Sequence, residues 1–155
     1  MLITNPSYII GAGPNGVPYY HHPDGFTLAL NGAAIHLPWS ARMLGDANCY
    51  RYDYFYEPNA KLTIAPRCVN HLADIVLDEY VEACTVAGIA IEWLVNSGCM
   101  HIILIGVDMA GGHWNGTDSG QVGVWRQLPK LQSLVDFYRA GDIKIESFSK
   151  TSLVL

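Results

Sequence analysis

The sequence predicts a three-layer α/β domain with a mostly parallel sheet. Residues 8–10 and 102–107 are continuous apolar runs, typical of strands buried on both faces. Stretches with helical spacing, at residues 86–95 and 125–138, follow some of the predicted strands. Strands that alternate with helices favour a Rossmann-like sheet. At 155 residues the chain has the size of one domain, so we expect a single Rossmann-like domain over residues 1–155.

The individual elements follow from local patterns. Residues 72–96 are the longest helical stretch, read as one helix or as two that meet near residues 84–88. Pro129 falls early in the later helix, where its missing N–H costs little. Strands are predicted, in chain order, at residues 8–10, 27–30, 49–54, 62–64, 102–107 and 143–148.

The composition limits which partners and which cellular location the protein is expected to have. The net charge of −5 and the scattered Lys and Arg residues argue against nucleic acid as a partner, whereas backbone dipoles can hold a small nucleotide. The four cysteines are far apart and predict reduced core residues. There is no basic, apolar leader at the N-terminus, and the run at residues 102–107 is too short to cross a bilayer. We expect a cytoplasmic protein without a membrane span.

A glycine-rich turn follows the first strand. Residues 11–16 read Gly-Ala-Gly-Pro-Asn-Gly and match the letters of the dinucleotide fingerprint. In that fingerprint the third glycine lies inside a helix of several turns. Here Pro18 and Pro23 oppose a helix, and the second strand begins at Thr27. At the end of the second strand, where the fingerprint has an acidic residue that binds ribose, this chain has Asn31. An ordinary NAD or FAD site is therefore not predicted.

Residues suited to a binding site stand at the predicted carboxyl ends of the strands. They are residues 11–16, Asn31, Asp53 and Asp108. Each of them also suits a plain turn. Because ligands of open α/β sheets bind outside these strand ends, we expect the site there.

Five short motifs of the chain, taken together, point to one family. They are Gly-Ala-Gly-Pro-Asn at residues 11–15, Leu30-Asn31, Thr-Val-Ala-Gly at residues 85–88, Ile-Ile-Leu-Ile-Gly-Val-Asp at residues 102–108 and the segment at residues 148–153. They resemble the glycine loop, the nucleotide-contacting Asn, a helix start, the strand ending L-I-G-I-D and the closing strand of the Rossmann-like bacterial sialyltransferases that use CMP-sialic acid. Relatives of that family are the motility-associated glycosylation factors and archaeal pterin diphosphokinases.

The chain also departs from the family pattern. No histidine lies between Gly116 and the C-terminus, where the family places its catalytic base. No tyrosine lies between Asp108 and Tyr138, and the family's lid is replaced by a loop over residues 110–124. We therefore expect an inherited nucleotide pocket in which the transferase chemistry is lost or rebuilt.

The resemblance implies a nucleotide or nucleotide-sugar partner. The cofactor is left open, and a divalent cation bound together with the nucleotide is one candidate. Gly11, Gly13 and Asn15 would approach phosphate or ribose. Asn31 would hydrogen-bond base or sugar, and the helix start at Thr85 and Gly88 would supply N–H groups.

Two side chains are catalytic candidates. His113, in the loop after Asp108, could act as a general base, or it is an exposed loop histidine. Asp108 could bind a divalent ion with phosphate, or it caps a turn.

The function predicted is binding of a nucleotide or nucleotide sugar, with glycosyl transfer if the protein is an active enzyme. The alternatives are Mg-ATP-dependent diphosphate transfer and a degenerate binding or assembly module. An assembly module would need a contact surface between copies of the chain. The alternating Tyr50, Tyr52, Tyr54 and Tyr56 are a candidate for it.

Overall fold

The computed structural model describes residues 3–35, 38–45, 60–66, 73–77, 85–109 and 121–155. Within them the strands are β1 (Ser7–Ile10), β2 (Phe26–Leu30), β3 (Ala41–Met43), β4 (Thr63–Pro66), β5 (Ile75–Leu77), β6 (His101–Ile105) and β7 (Lys144–Ser147). The α-helices are α1 (Val86–Asn96) and α2 (Gln121–Ala140), and two 3-10 helices cover Pro14–Tyr19 and Asn31–Ile35.

The seven strands form one sheet in the order β5-β4-β3-β2-β1-β6-β7, and every pair is parallel. The predicted α/β, Rossmann-like fold class is therefore confirmed. From β1 the chain adds strands outward to β5, and then α1 returns it to β6 on the opposite side of β1. The strand order thus reverses between β1 and β6, and at such a switch point the carboxyl ends of the strands border a crevice.

Alternate residues of the strands face two separate cores. Ile9 and Leu104 point into the larger core, which α1 and α2 cover. Ile10 and Ile105 point into the smaller core, which includes Tyr20 next to the first 3-10 helix. Burial of successive strand residues on both faces explains why the apolar runs are continuous. Among the residues that the structure describes, neither α-helix has the length and apolar character that crossing a membrane requires.

Two predictions about the elements were wrong or incomplete. Residues 72–96 are not helical throughout, because Ile75–Leu77 forms β5 and pairs with β4. Among the described residues of this stretch, the helix covers Val86–Asn96. Strand β3 was not predicted, because Arg42 interrupts its apolar pattern. Arg42 is nevertheless buried, and its Nε donates to Thr63 Oγ1 over 2.8 Å. The strand predicted at residues 49–54 lies outside the described residues.

Candidate functional site

The loops that follow β1 and β6 pack directly against each other at the switch point. The N–H of Gly11 donates to the carbonyl oxygen of Ile105 over 2.7 Å, which carries the parallel pairing past the end of β1. The N–H of Gly13 then donates to the carbonyl oxygen of Gly106 over 2.8 Å. The glycine loop and the end of β6 therefore form one hydrogen-bonded unit at the carboxyl edge of the sheet.

Close packing of these two loops explains the glycine pattern. A Cβ added at Gly11 would lie 2.4 Å from the Gly106 carbonyl oxygen, and one at Gly13 would lie 2.4 Å from Asp108 Cγ. A Cβ at Gly16 would lie 2.5 Å from Gly106 Cα. The amides of Gly11 and Gly13, expected to approach a phosphate, are thus hydrogen-bonded inside the protein. What these glycines do here is bring the loop against Gly106 and Asp108.

Gly106 is a site residue that the sequence reasoning did not single out. Its φ is +69°, in the left-handed region that favours glycine. A Cβ at this position would also lie 2.6 Å from the Gly11 carbonyl oxygen. The available signal was a glycine between an apolar strand and an acidic residue, which marks the sharp exit of the chain from β6.

The buried carboxyl group of Asp108 is the main candidate for ligand binding at this site. The residue is 5% exposed, and its Oδ2 accepts a hydrogen bond of 3.0 Å from the backbone N–H of Asn15. Its Oδ1 is buried and has no hydrogen-bond partner among the residues that the structure describes. Burial raises the pKa of the Asp108 carboxyl, and hydrogen bonding to Asn15 opposes the rise. A buried, unpartnered carboxylate oxygen is rare enough to need an explanation.

Tyr20 contacts the glycine loop of this site and was also missed from sequence. Its hydroxyl donates to the Gly11 carbonyl oxygen over 2.8 Å, and its ring packs edge-on against Trp39 at 5.7 Å. Burial first, and then the negative charge of Asp108, raise the pKa of Tyr20 to about 12. Asp108 and Tyr20 therefore interact electrostatically. No sequence motif marks this tyrosine, because its role depends on where the chain returns after the 3-10 helix.

Three further predicted site residues gather at the same edge of the sheet, around the start of α1. Asn31 has a φ of +45°, and its Oδ1 accepts from the Gly45 N–H over 3.1 Å. Thr85 caps α1 by accepting from the Gly88 N–H over 2.9 Å. Gly45 packs against Val86, where a Cβ would lie 2.6 Å from the valine Cβ. Because β2 pairs with β1, this cluster neighbours the Asp108 cluster.

The remaining sequence candidates are not located. His113, Asp53 and the four tyrosines at positions 50, 52, 54 and 56 lie outside the described residues. In the described ranges, no group of three or more His, Cys, Asp or Glu side chains is placed to hold a metal ion. The candidate site in the described part of the chain is therefore centred on Asp108.

Comparison of the chain with protein-family models, curated proteins and solved structures finds no match. The resemblance to the sialyltransferase-like family therefore stays a prediction based on short motifs. The Rossmann-like architecture is independent of it, because the strand order and the parallel pairing are seen directly.

Proposed function

We propose that the chain binds a nucleotide or nucleotide sugar at the carboxyl edge of its sheet, over the junction of β1 and β6. The observation that carries the proposal is Asp108, whose Oδ1 is buried without a hydrogen-bond partner among the described residues. A ligand hydroxyl or N–H at this oxygen would supply the missing bond. Such a bond to an ionised carboxylate is stronger than one between neutral groups.

The location and the chemistry together favour a sugar-bearing ligand. Open α/β sheets bind nucleotides at the switch point, which here is flanked by Asp108. Ribose and hexose rings present several hydroxyl donors, which suit a carboxylate acceptor. A phosphate would be repelled by Asp108, so we place it toward the start of α1, where the helix dipole is positive. Asn31 follows β2, next to β1 in the sheet, and its contact Gly45 packs against Val86 at the start of α1.

The diphosphate-transfer alternative rests on the same carboxylate. Mg²⁺ is often held by one or two carboxylates together with substrate phosphate oxygens. Asp108 Oδ1 could serve as such a ligand, with ATP phosphates completing the coordination. This alternative requires that nucleotide binding depends on Mg²⁺, whereas recognition of a hydroxyl by Asp108 does not.

A thermal-shift series tests the proposal. The protein is heated with millimolar CMP, UDP, GDP or ATP, each with and without Mg²⁺, because a ligand that binds the native state raises the melting temperature. Stabilisation without Mg²⁺ supports the proposal, and stabilisation by ATP only with Mg²⁺ supports the alternative. No stabilisation under any condition would contradict both.

A turnover assay then separates binding from transfer. The protein is incubated with sugar nucleotides that stabilise it, and release of free nucleotide is measured. Release well above the rate without protein would show that transfer or hydrolysis accompanies binding. Binding without release is the result expected of a degenerate transferase fold that serves as a binding module.

A further inference from the structure

A short segment near the C-terminus, residues 149–152, holds the backbone on which Asp108 sits. We call it the tail segment. The Oγ of Ser149 accepts from the Gly106 N–H over 2.7 Å. The Oγ1 of Thr151 donates to the Val107 carbonyl oxygen over 2.6 Å, and the Ser152 N–H donates to the Asp108 carbonyl oxygen over 2.8 Å. Gly106, Val107 and Asp108 therefore each have a partner in the tail segment.

The hydrogen bonds of the tail segment begin where the pairing between β6 and β7 ends. Strand β6 ends at Ile105, and β7 ends at Ser147. The Phe148 N–H still donates to the Leu104 carbonyl oxygen over 3.0 Å, which continues the pairing between the two strands. At Gly106 the backbone turns with a positive φ, so the following residues leave the sheet. Polar groups of the tail segment then satisfy backbone groups that would otherwise be buried without partners.

The tail segment is itself firmly placed. Ser149 is 5% exposed, and its carbonyl oxygen accepts from Ser147 Oγ over 2.7 Å. Leu153, directly after the segment, is buried in the core under α1 and α2. On the opposite side, Gly13 and Asn15 hold Gly106 and Asp108 by the bonds already described. The residues from Gly106 to Asp108 are thus fixed between the glycine loop and the tail segment.

We propose that Ser149, Thr151 and Ser152 are positioning residues of the Asp108 site, which keep its carboxyl group buried with Oδ2 bonded to Asn15 and Oδ1 without a partner among the described residues. What Asp108 binds rests on the proposed function. The positioning itself does not, because it concerns the ligand-free protein. Within the described part of the chain, the titratable group that interacts with the Asp108 charge is Tyr20, whose pKa that charge helps to raise.

The test measures the titration of Asp108 by ¹³C NMR of its carboxyl group in the ligand-free protein. Ser149→Ala removes the acceptor of the buried Gly106 N–H, and Thr151→Val removes the donor to Val107 while keeping its shape. In both variants we expect the Asp108 midpoint to fall toward that of an ordinary aspartate as water reaches the carboxyl. Thr151→Ser keeps the hydroxyl and should restore the wild-type midpoint. Ser133→Ala, on an exposed face of α2, is the matched control.

Nucleotide affinity is measured on the same variants. Loss of one such hydrogen bond is expected to weaken binding about tenfold in Ser149→Ala and Thr151→Val, with Thr151→Ser near wild type. Folded variants whose Asp108 midpoint equals that of wild type would overturn the positioning role. If Ser149→Ala does not fold, Thr151→Val against Thr151→Ser decides the question. A shifted midpoint in a protein that binds no nucleotide would contradict the proposed function and leave the positioning role standing.

Discussion

The backbone N–H of Asn15 donates a hydrogen bond of 3.0 Å to Oδ2 of Asp108, a residue 93 positions away in the sequence. This bond joins the loop after β1 to the loop after β6, where the strand order reverses. It fixes one carboxylate oxygen of Asp108, while the other is buried without a hydrogen-bond partner in the described part of the chain. The proposed binding of a ligand at Asp108 depends on that asymmetry between the two oxygens.

Replacing Asp108 with Asn should not weaken the fold at neutral pH. Asn keeps an oxygen for the Asn15 N–H and removes a buried charge. Because burial raises the pKa of Asp108 above 3.8, this group favours folding most below that pH, and the contribution is lost as pH rises through the folded value. We expect Asp108→Asn to be at least as stable as wild type at pH 7, and its advantage to shrink near pH 4.

Denaturant unfolding at both pH values measures this, with nucleotide binding measured in parallel. Asp24→Asn, an exposed position just before β2, is the control and should change neither stability nor binding. If Asp108→Asn lost more than about 1 kcal/mol at pH 7, the carboxylate would be a stabilising group rather than one kept for a ligand.

Substitution of Gly13 should disturb the contact between the two loops. An alanine Cβ would lie 2.4 Å from Asp108 Cγ and 2.5 Å from the Gly106 carbonyl oxygen, so the backbone must move. We expect Gly13→Ala to lower the free energy of unfolding by about 1–3 kcal/mol, the usual range for overpacking. Gly141→Ala is the matched control, since its Cβ would meet nothing closer than 3.4 Å. Equal stability of the two variants would show that the loops are not packed as described.

The hydroxyl of Tyr20 should contribute to stability below pH 10 and lose that contribution above it. Its pKa is raised from 10.0 to about 12, so the folded state holds the proton more tightly than the unfolded state. Tyr20→Phe removes the donor to the buried Gly11 carbonyl oxygen, and we expect a loss of about 1–2 kcal/mol at pH 7. Tyr19→Phe is the control. In an alkaline titration followed by tyrosinate absorbance, the late part of the rise should be smaller in Tyr20→Phe than in wild type. Tyr138, whose pKa burial also raises, should ionise late in both proteins.

The contacts of Glu146 with His101 and Lys144 should stabilise the protein slightly, and only above acidic pH. The hydrogen bond from His101, at 2.7 Å, is the main cause of its lowered pKa, and Lys144 adds to it while burial opposes it. A lowered pKa means that the stabilisation is present above 4.5 and is lost as pH falls through the folded value. Since the Glu146 side chain is 37% exposed, Glu146→Gln should lose less than about 1 kcal/mol at pH 7. A loss that persisted at pH 2 would point to packing instead of charge.

The strands that flank the site could be predicted because both of their faces are buried. Ser7–Ile10 and His101–Ile105 lie in the middle of the sheet, and such strands show continuous apolar runs. Ala41–Met43 was missed because its central arginine is buried against Thr63, a tertiary contact that no local pattern reveals. Ile75–Leu77 was assigned to a helix because a short apolar run does not distinguish helix from strand.

The site could be predicted only in part. Asn15 and Asp108 were chosen because they follow apolar strands, and the structure brings these two together. Their hydrogen bond could not be foreseen, because the strand order that makes β1 and β6 neighbours is not readable from the sequence. The roles of Tyr20 and Ser149 could not be foreseen either. Tyr20 reaches the Gly11 carbonyl oxygen only because of the path of the chain after β1, and Ser149 meets Gly106 from a distant part of the sequence.

The most direct test of the central claim is to map a bound nucleotide on ¹⁵N-labelled protein by amide chemical shifts. The probe is the nucleotide that raises the melting temperature most. We predict the largest shifts at the amides of Asn15, Gly106 and Asp108, with small shifts at His101 and Lys144, which begin β6 and β7 at the opposite edge of the sheet. Saturating nucleotide that left the first three amides unmoved would contradict a binding site at the junction of β1 and β6.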